Sequence, residues 1–130
     1  MLYTKVLIPK DKRYILIPRV ILKWGASIYF YNPLEIEDIK ICIDEVCNAA
    51  IENTKCGDLK DLCIKIVVFQ KEILIVIDTD NLQRWDGLSP QKKKDLEFSI
   101  FLVKSLTRTI LWKRIGDIGR VIMIKSKEDD

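Results

Sequence analysis

Histidine is absent from the 130-residue sequence, and glycine and proline are scarce, with five and four residues respectively. Without histidine, Ser–His and Cys–His nucleophile pairs are excluded, and so is any zinc site that needs imidazole. The four cysteines, Cys42, Cys47, Cys56 and Cys63, include no C-x-x-C pair. We therefore expect reduced cysteines that fill the core, and we predict neither a disulfide nor a metal site.

The sequence also lacks an apolar run of about 20 residues, the length that a membrane-spanning helix needs. Its longest candidate, 14–31, is interrupted by Pro18, Arg19 and Lys23. The first residues do not form a basic segment followed by an apolar core, so we see no signal peptide. We therefore expect a cytoplasmic protein that has no membrane partner.

What is present suits one globular domain that spans residues 1–130. Apolar residues make up 48% of the chain, enough to offset the entropy lost on folding, and charged residues make up 32%. The net charge of +3 and the lysine run at 92–94 are weak indications of nucleic-acid binding, which we do not expect. Such a run is more typical of a solvated loop or helix start.

Hydrophobic periodicity predicts four strands, three helices and one long loop. The predicted elements are, in order, a strand at 3–9, helices at about 14–25 and 35–51, strands at 62–69 and 73–77, a loop at 79–95, a helix at 96–112 and a strand at 121–125. Pro18 kinks the first helix or marks its first turn. Because the strands are not all separated by helices, we expect a mixed sheet with the helices on one face.

The second predicted helix carries the most specific motif. Residues 36–50 read IEDIKICIDEVCNAA, which resembles the N-box helix of bacterial anti-sigma-factor serine-protein kinases. These kinases form the RsbW-like family of the GHKL, or Bergerat, ATPase superfamily. Asp78 falls where the family has its D-x-G-x-G box, residues 99–106 resemble its second glycine box, and residues 119–122 resemble its terminal G-T-x-V strand.

The resemblance implies a fold, a site and two cofactors. The fold is an α+β, two-layer α/β sandwich with a mixed, mostly antiparallel sheet and helices on one face. The nucleotide would lie between the second helix and the loop at 79–95, which would be the ATP lid. ATP and Mg²⁺ are the cofactors that the family uses.

Carried over to the N-box helix, the resemblance gives one clear match and one loss. Glu45 matches the glutamate that acts as general base toward a serine hydroxyl or water. The Mg²⁺-binding asparagine falls on Ala49, and Asn48 lies one residue early, about 100° around the helix, where it would point elsewhere. A shifted alignment that pairs Asp44 with Asn48 keeps the i, i+4 spacing but puts neighbouring isoleucines out of register.

The remaining boxes are largely eroded. Asp78 matches the aspartate that accepts a hydrogen bond from adenine, but the two glycines of that box fall on Asp80 and Leu82. Ser99 replaces the glycine of the second box, and Arg120 replaces the terminal threonine. Glycines there let the backbone approach phosphates, and Asp80 adds negative charge beside them. We therefore expect nucleotide binding to be weakened or lost.

These observations leave two function classes and several simpler interpretations open. The resemblance implies a regulator that binds a sigma factor or a STAS-type anti-sigma antagonist; the alternative is an active ATP-dependent serine kinase with Glu45 as base. The simpler interpretation of Glu45 is a solvated helix residue without a catalytic role. The simpler interpretation of Asp78 is a turn residue at the end of a strand. Arg84 and Trp85 in the loop are candidates for partner contact. The family also forms homodimers through the sheet region, so a dimer stays open.

Overall fold

The computed structural model describes residues 1–53, 61–80, 89–116 and 118–128. The strands are β1 (Leu2–Pro9), β2 (Asp61–Val68), β3 (Glu72–Asp80), β4 (Thr109–Ile115) and β5 (Ile118–Ser126). The helices are α1 (Leu16–Ile28), α2 (Pro33–Asn53) and α3 (Pro90–Leu106), and a short 3₁₀ helix at Lys12–Ile15 precedes α1. None of the described helices is long and apolar enough to cross a membrane.

The five strands form one sheet in the order β1-β2-β3-β5-β4. Every described pairing is antiparallel. The element order had led us to expect a mixed sheet, and the sheet is antiparallel throughout the described strands. Short connections join β2 to β3 and β4 to β5, and strands joined in this way run in opposite directions. The predicted α+β class, with a predominantly antiparallel sheet and a layer of helices, is confirmed.

The boundary between α3 and β4 differs from the prediction. The helix predicted at 96–112 ends at Leu106, and Thr109–Ile115 forms β4, which the sequence analysis missed. Thr107 caps the helix in an extended conformation, with φ −121° and ψ 158°. The β-branched and aromatic residues that follow favour a strand, and Trp112 pairs with Val121 of β5.

The predicted loop at 79–95 is shorter than expected at both ends. β3 continues to Asp80, and α3 begins at Pro90. Ser89 is the N-cap of α3, since its hydroxyl accepts a hydrogen bond from the Lys92 amide, and proline at the first helical position needs no donor partner. Residues 81–88 of this loop lie outside the described part of the chain.

Gly25 lies where α1 approaches the sheet most closely. A Cβ atom on Gly25 would lie 2.8 Å from Cδ2 of Leu2 and 3.2 Å from Cγ2 of Val68. Pro18 is the third residue of α1, in the first turn, where a helix tolerates the missing amide hydrogen. The alternative that Pro18 marks the first turn is therefore the one observed.

The core lies between the helices and one face of the sheet. Successive strand residues alternate between buried and half-buried, as expected when helices cover one face only. The sheet contributes Leu62, Ile64, Ile66, Ile73, Ile75, Ile77, Val121 and Met123, and α2 contributes Ile39, Cys42, Ile43, Val46, Cys47 and Ala50. Cys42 and Cys47 are thus core residues, as predicted.

The buried thiols give a pH-dependent prediction. Burial raises the pKa of Cys42 and of Cys47 to about 12, so both stay protonated at pH 8. Because the thiolate is the reactive form, we expect a thiol reagent to modify the half-buried Cys63 well before either of them. Mass spectrometry of digested protein measures this labelling, and equal labelling of Cys42 and Cys63 in folded protein contradicts the prediction.

The raised pKa values of Cys42 and Cys47 also affect stability. The two protonated thiols stabilise the fold below pH 9, and this effect is lost between pH 9 and 12.

A second prediction tests the packing of α2. Ile43 is fully buried in the core, so Ile43→Ala should lower the free energy of unfolding by about 2–5 kcal/mol. Leu34→Ala on the same helix is the control, because Leu34 is exposed and its loss should change stability by less than about 0.5 kcal/mol. Urea unfolding followed by circular dichroism measures both. Equal effects of the two variants would contradict the observed packing.

Candidate functional site

A cleft of about 210 Å³ separates the solvent-facing sides of α2 and α3. Its lining residues are Glu45, Asn48, Ala49 and Glu52 of α2, and Lys92, Asp95, Leu96 and Ser99 of α3. Each set of four follows the spacing i, i+3, i+4, i+7, which places its members on one face of a helix. The cleft therefore results from two helical faces that lie side by side.

Two predicted site residues make direct contact in this cleft. The Ser99 hydroxyl donates a hydrogen bond of 2.7 Å to Oε2 of Glu45. Beneath the pair is a void of about 10 Å³, lined by apolar side chains that include Val46, Val103 and the ring of Trp112. The Glu45 carboxylate thus has a hydroxyl partner and borders an apolar region of the protein.

The two candidates for the asparagine position both reach the cleft. Ala49 is buried in its wall and offers no oxygen to a metal ion. Asn48 was expected to point elsewhere, but it also lines the cleft, because it lies one turn from Glu45 at i+3. Among the described residues, no group of three or more histidine, cysteine, aspartate or glutamate side chains is placed to hold a metal ion.

Asp78 and Arg120 lie on the other side of the sheet. They are direct partners in the β3–β5 register, and the Arg120 guanidinium donates to both oxygens of Asp78 at 2.6 and 2.8 Å. These hydrogen bonds raise the pKa of Arg120. Since side chains alternate along a strand, the core-facing positions beside Asp78 belong to Ile77 and Thr79. The structure therefore does not bring Asp78 and Arg120 to the cleft with Glu45.

The end of β3 holds two buried polar residues, Thr79 and Asp80. Thr79 is fully buried, and its hydroxyl has no hydrogen-bond partner within the described ranges. Asp80 was expected to add negative charge beside phosphates, but its carboxylate forms an ion pair of 2.6 Å with Lys10. The core-facing position of Thr79 follows from the strand alternation of β3, a signal that the sequence already contains.

The predicted partner-contact residues Arg84 and Trp85 lie outside the described residues, as does Leu82 of the eroded glycine box. They therefore stay predictions from the sequence.

The described residues do not fit a Mg²⁺-bound nucleotide. The metal-binding asparagine is replaced by Ala49, and the Glu45 carboxylate is already held by Ser99. The cleft carries three carboxylates, of which Glu52 is paired with Lys12, and one lysine from α3. An anionic ligand would bring further negative charge to this lining, which is unfavourable.

Comparisons with known proteins agree with the fold and the motif. No protein-family model matches the chain. The chain is 30% identical over 96 residues to the serine-protein kinase RsbW of Bacillus velezensis, a match that covers 72% of this chain and 58% of the relative. The chain thus spans a little over half the length of that curated relative.

Two solved structures share the architecture. One contains the RsbU and RsbW domains of Rv1364c from Mycobacterium tuberculosis, with a TM-score of 0.75 and 9% identity over 99% of this chain and 34% of that chain. The other is the SiaB–SiaC complex from Pseudomonas aeruginosa, with a TM-score of 0.65 and 10% identity over 95% of this chain and 89% of that chain. At these identities the structures show the fold alone.

Sequence and structure point to the same relatives. The sequence contributes the 30% identity and the N-box motif with Glu45 on α2, and the structure contributes the shared α+β fold. On this evidence the chain is similar to the serine-protein kinase RsbW and resembles RsbW-like, GHKL-type proteins, as its N-box motif implied.

Proposed function

We propose that this protein is an anti-sigma-factor-like regulator that acts by binding another protein, with nucleotide binding weakened or lost. Its partner is a sigma factor or a STAS-type anti-sigma antagonist. The observation that carries the proposal is the solvent-facing side of α1, which is largely apolar. Its exposed apolar residues are Leu16, Ile17, Val20, Trp24 and Ile28.

Trp24 is the centre of this surface. It is 70% exposed, and with Ile28, Lys23 and Ser27 it lines a groove of about 300 Å³. Tryptophan beside a groove is the kind of residue that dominates the binding energy of protein interfaces. Contiguous apolar surface of this kind on a folded protein marks an interaction site.

The residue that follows the α1 cap is an exposed aromatic residue held in a conformation that has a cost. Phe30 has a φ of 62°, in the left-handed region where glycine is usual, and its side chain is 85% exposed. A bulky residue there costs about 1–2 kcal/mol. Exposed rings of this kind gain free energy only when another apolar surface covers them.

Charge indicates the chemistry of the partner. α1 contains Arg19 and Lys23 and no acidic residue. Arg19 forms an ion pair with Asp44 of α2, so the basic group that α1 presents at the groove is Lys23, and an acidic group on the partner complements it. We therefore expect the contacting element of the partner to be amphipathic and acidic.

One observation supports the alternative function, that of an active serine kinase. The Glu45 carboxylate accepts a hydrogen bond from a serine hydroxyl at 2.7 Å, within the range of about 2.6–3.2 Å that a general base needs. Under this alternative the protein is an active serine kinase that phosphorylates an anti-sigma antagonist, with Glu45 as base. The replaced metal ligand at Ala49 is the main observation against it.

The binding proposal predicts the effect of Trp24→Ala. We expect this change to weaken partner binding by about 10-fold or more, since truncation of a central aromatic residue removes at least 1–2 kcal/mol. Phe98→Ala is the matched control, because Phe98 is 64% exposed but lies on α3. Biolayer interferometry against purified sigma factors and STAS-domain proteins of the same organism measures both. Failure of every such protein to bind the unmodified chain would contradict the proposal.

A separate prediction distinguishes the regulator from the kinase. A nucleotide at 100 times its Kd would stabilise the fold by about 2.7 kcal/mol, a shift of several degrees in Tm. We expect no shift with millimolar ATP or ADP, with or without Mg²⁺. Phosphorylation of a STAS-type antagonist that depends on ATP and disappears in Glu45→Gln would instead establish the kinase.

A further inference from the structure

The outer face of the sheet, which the helices do not cover, places cations directly opposite each other on neighbouring strands. Lys5 of β1 lies opposite Lys65 of β2, and Lys113 of β4 lies opposite Arg120 of β5. The residues beside Lys65 and Arg120 in their own strands are buried in the core, so these two side chains point outward, and their cross-strand partners share that face. Like charges in directly opposite positions lower the stability of a sheet.

The acidic residues at outward positions of the strands leave most of this positive charge uncompensated. Three of them form ion pairs with other cations, namely Asp78 with Arg120, Asp80 with Lys10, and Glu72 with Arg108. The fourth, Asp61, is the first residue of β2. Within the described part of the chain, no ion pair involves Lys5, Lys65 or Lys113. The repulsion between Lys5 and Lys65 is therefore not offset by the protein itself.

An apolar band crosses all five strands beside these lysines. Its outward residues are, by register, Tyr3, Val67, Leu74 and Ile124 in one row and Val76, Ile122 and Leu111 in the next. Tyr3 is 54% exposed and Leu111 is 46% exposed, so the band reaches solvent at both edges of the sheet. An apolar centre with charged residues at its margin is typical of protein interfaces. A surface for single-stranded nucleic acid presents several aromatic rings on which bases stack, and Tyr3 is the one aromatic residue at the outward positions of the described strands.

We propose that the outer face of the sheet binds a second protein, whose contacting surface presents carboxylates around an apolar patch. Carboxylates that approach Lys5 and Lys65 relieve the repulsion between them, and the apolar band supplies the centre of the contact. A second copy of this chain does not suit the face, because a symmetric contact brings unpaired lysines to both sides of the interface. The proposal goes beyond the partner of α1 and does not depend on it, since α1 packs on the opposite face of the sheet.

Charge reversal tests the proposal with a defined probe. A synthetic random copolymer of glutamate and tyrosine supplies carboxylates together with apolar rings, and fluorescence anisotropy of the labelled copolymer measures binding. We expect Lys5→Glu/Lys65→Glu to bind the copolymer at least about 10-fold more weakly than the unmodified chain does. Lys93→Glu/Lys104→Glu is the matched control, because it changes the net charge equally at exposed positions of α3. This control should bind as the unmodified chain does.

A single substitution gives a second readout, which a purely structural lysine would not produce. Lys65→Glu replaces a like-charge pair with an opposite-charge pair between β1 and β2. It should therefore raise Tm by about 1–4 °C while it weakens binding of the copolymer. Differential scanning fluorimetry measures Tm. A Tm that does not rise, or binding that does not weaken, overturns the proposal.

The same variants distinguish the other occupants of this face, each of which overturns the proposal. Polyuridylate that binds more tightly than the copolymer and is released by Lys5→Glu/Lys65→Glu indicates a nucleic-acid surface. A dimer in analytical ultracentrifugation that Leu111→Glu dissociates indicates a second copy. Copolymer binding that is lost in Trp24→Ala but kept in Lys5→Glu/Lys65→Glu places the contact on α1, and the proposed function then stands while this inference fails.

Discussion

The packing of α2 against the sheet is the interaction on which the candidate site depends. Its inner side buries Ile39, Ile43 and Val46, while Glu45 and its neighbours at i+3, i+4 and i+7 face the cleft. The start of α2 is fixed by a capping box, in which Asn32 and Glu35 each accept a hydrogen bond from the amide of the other. Glu35 also accepts from the amide of Glu128, so the end of the chain holds the helix in register. The position of the Glu45 carboxylate is thus determined by core packing and by contacts three turns away.

Strand alternation imposes the second constraint, and it separates residues that are close in sequence. Ile77 and Thr79 point into the core, so Asp78 faces the other side and pairs with Arg120. A bidentate ion pair between neighbouring strands is a geometry that stabilises a half-exposed sheet face, and it leaves neither side chain for a ligand between the helices. The Thr79 hydroxyl is the polar group that β3 places on the helix side of the sheet at this level.

Most of the fold and the position of Glu45 could be predicted from the sequence, because the patterns that indicate them are local. The period of apolar residues in α2 and in the β2–β3 hairpin predicted those elements, and the N-box motif predicted the family and the place of Glu45. β4 was missed because Phe101 to Trp112 is apolar at both helical and strand spacing, and the extended cap at Thr107 decides between them. The motif match gave Asp78 a role without a face of the sheet, and the alternation of β3 places its side chain on the face away from the helices. The Ser99–Glu45 contact joins residues 54 positions apart, and no local pattern contains it.

The two surfaces of the molecule differ in what they can bind favourably. The cleft between α2 and α3 has more carboxylates than lysines, and its key acid is already hydrogen-bonded, so a phosphate-bearing ligand must overcome both repulsion and the loss of that bond. The exposed side of α1 has no such cost. Covering Trp24 and Ile28 removes apolar area from water, which gains about 25 cal/mol for each Å². Burial of α1 by an amphipathic partner is therefore the association that this surface favours, and it leaves the Ser99–Glu45 contact in place.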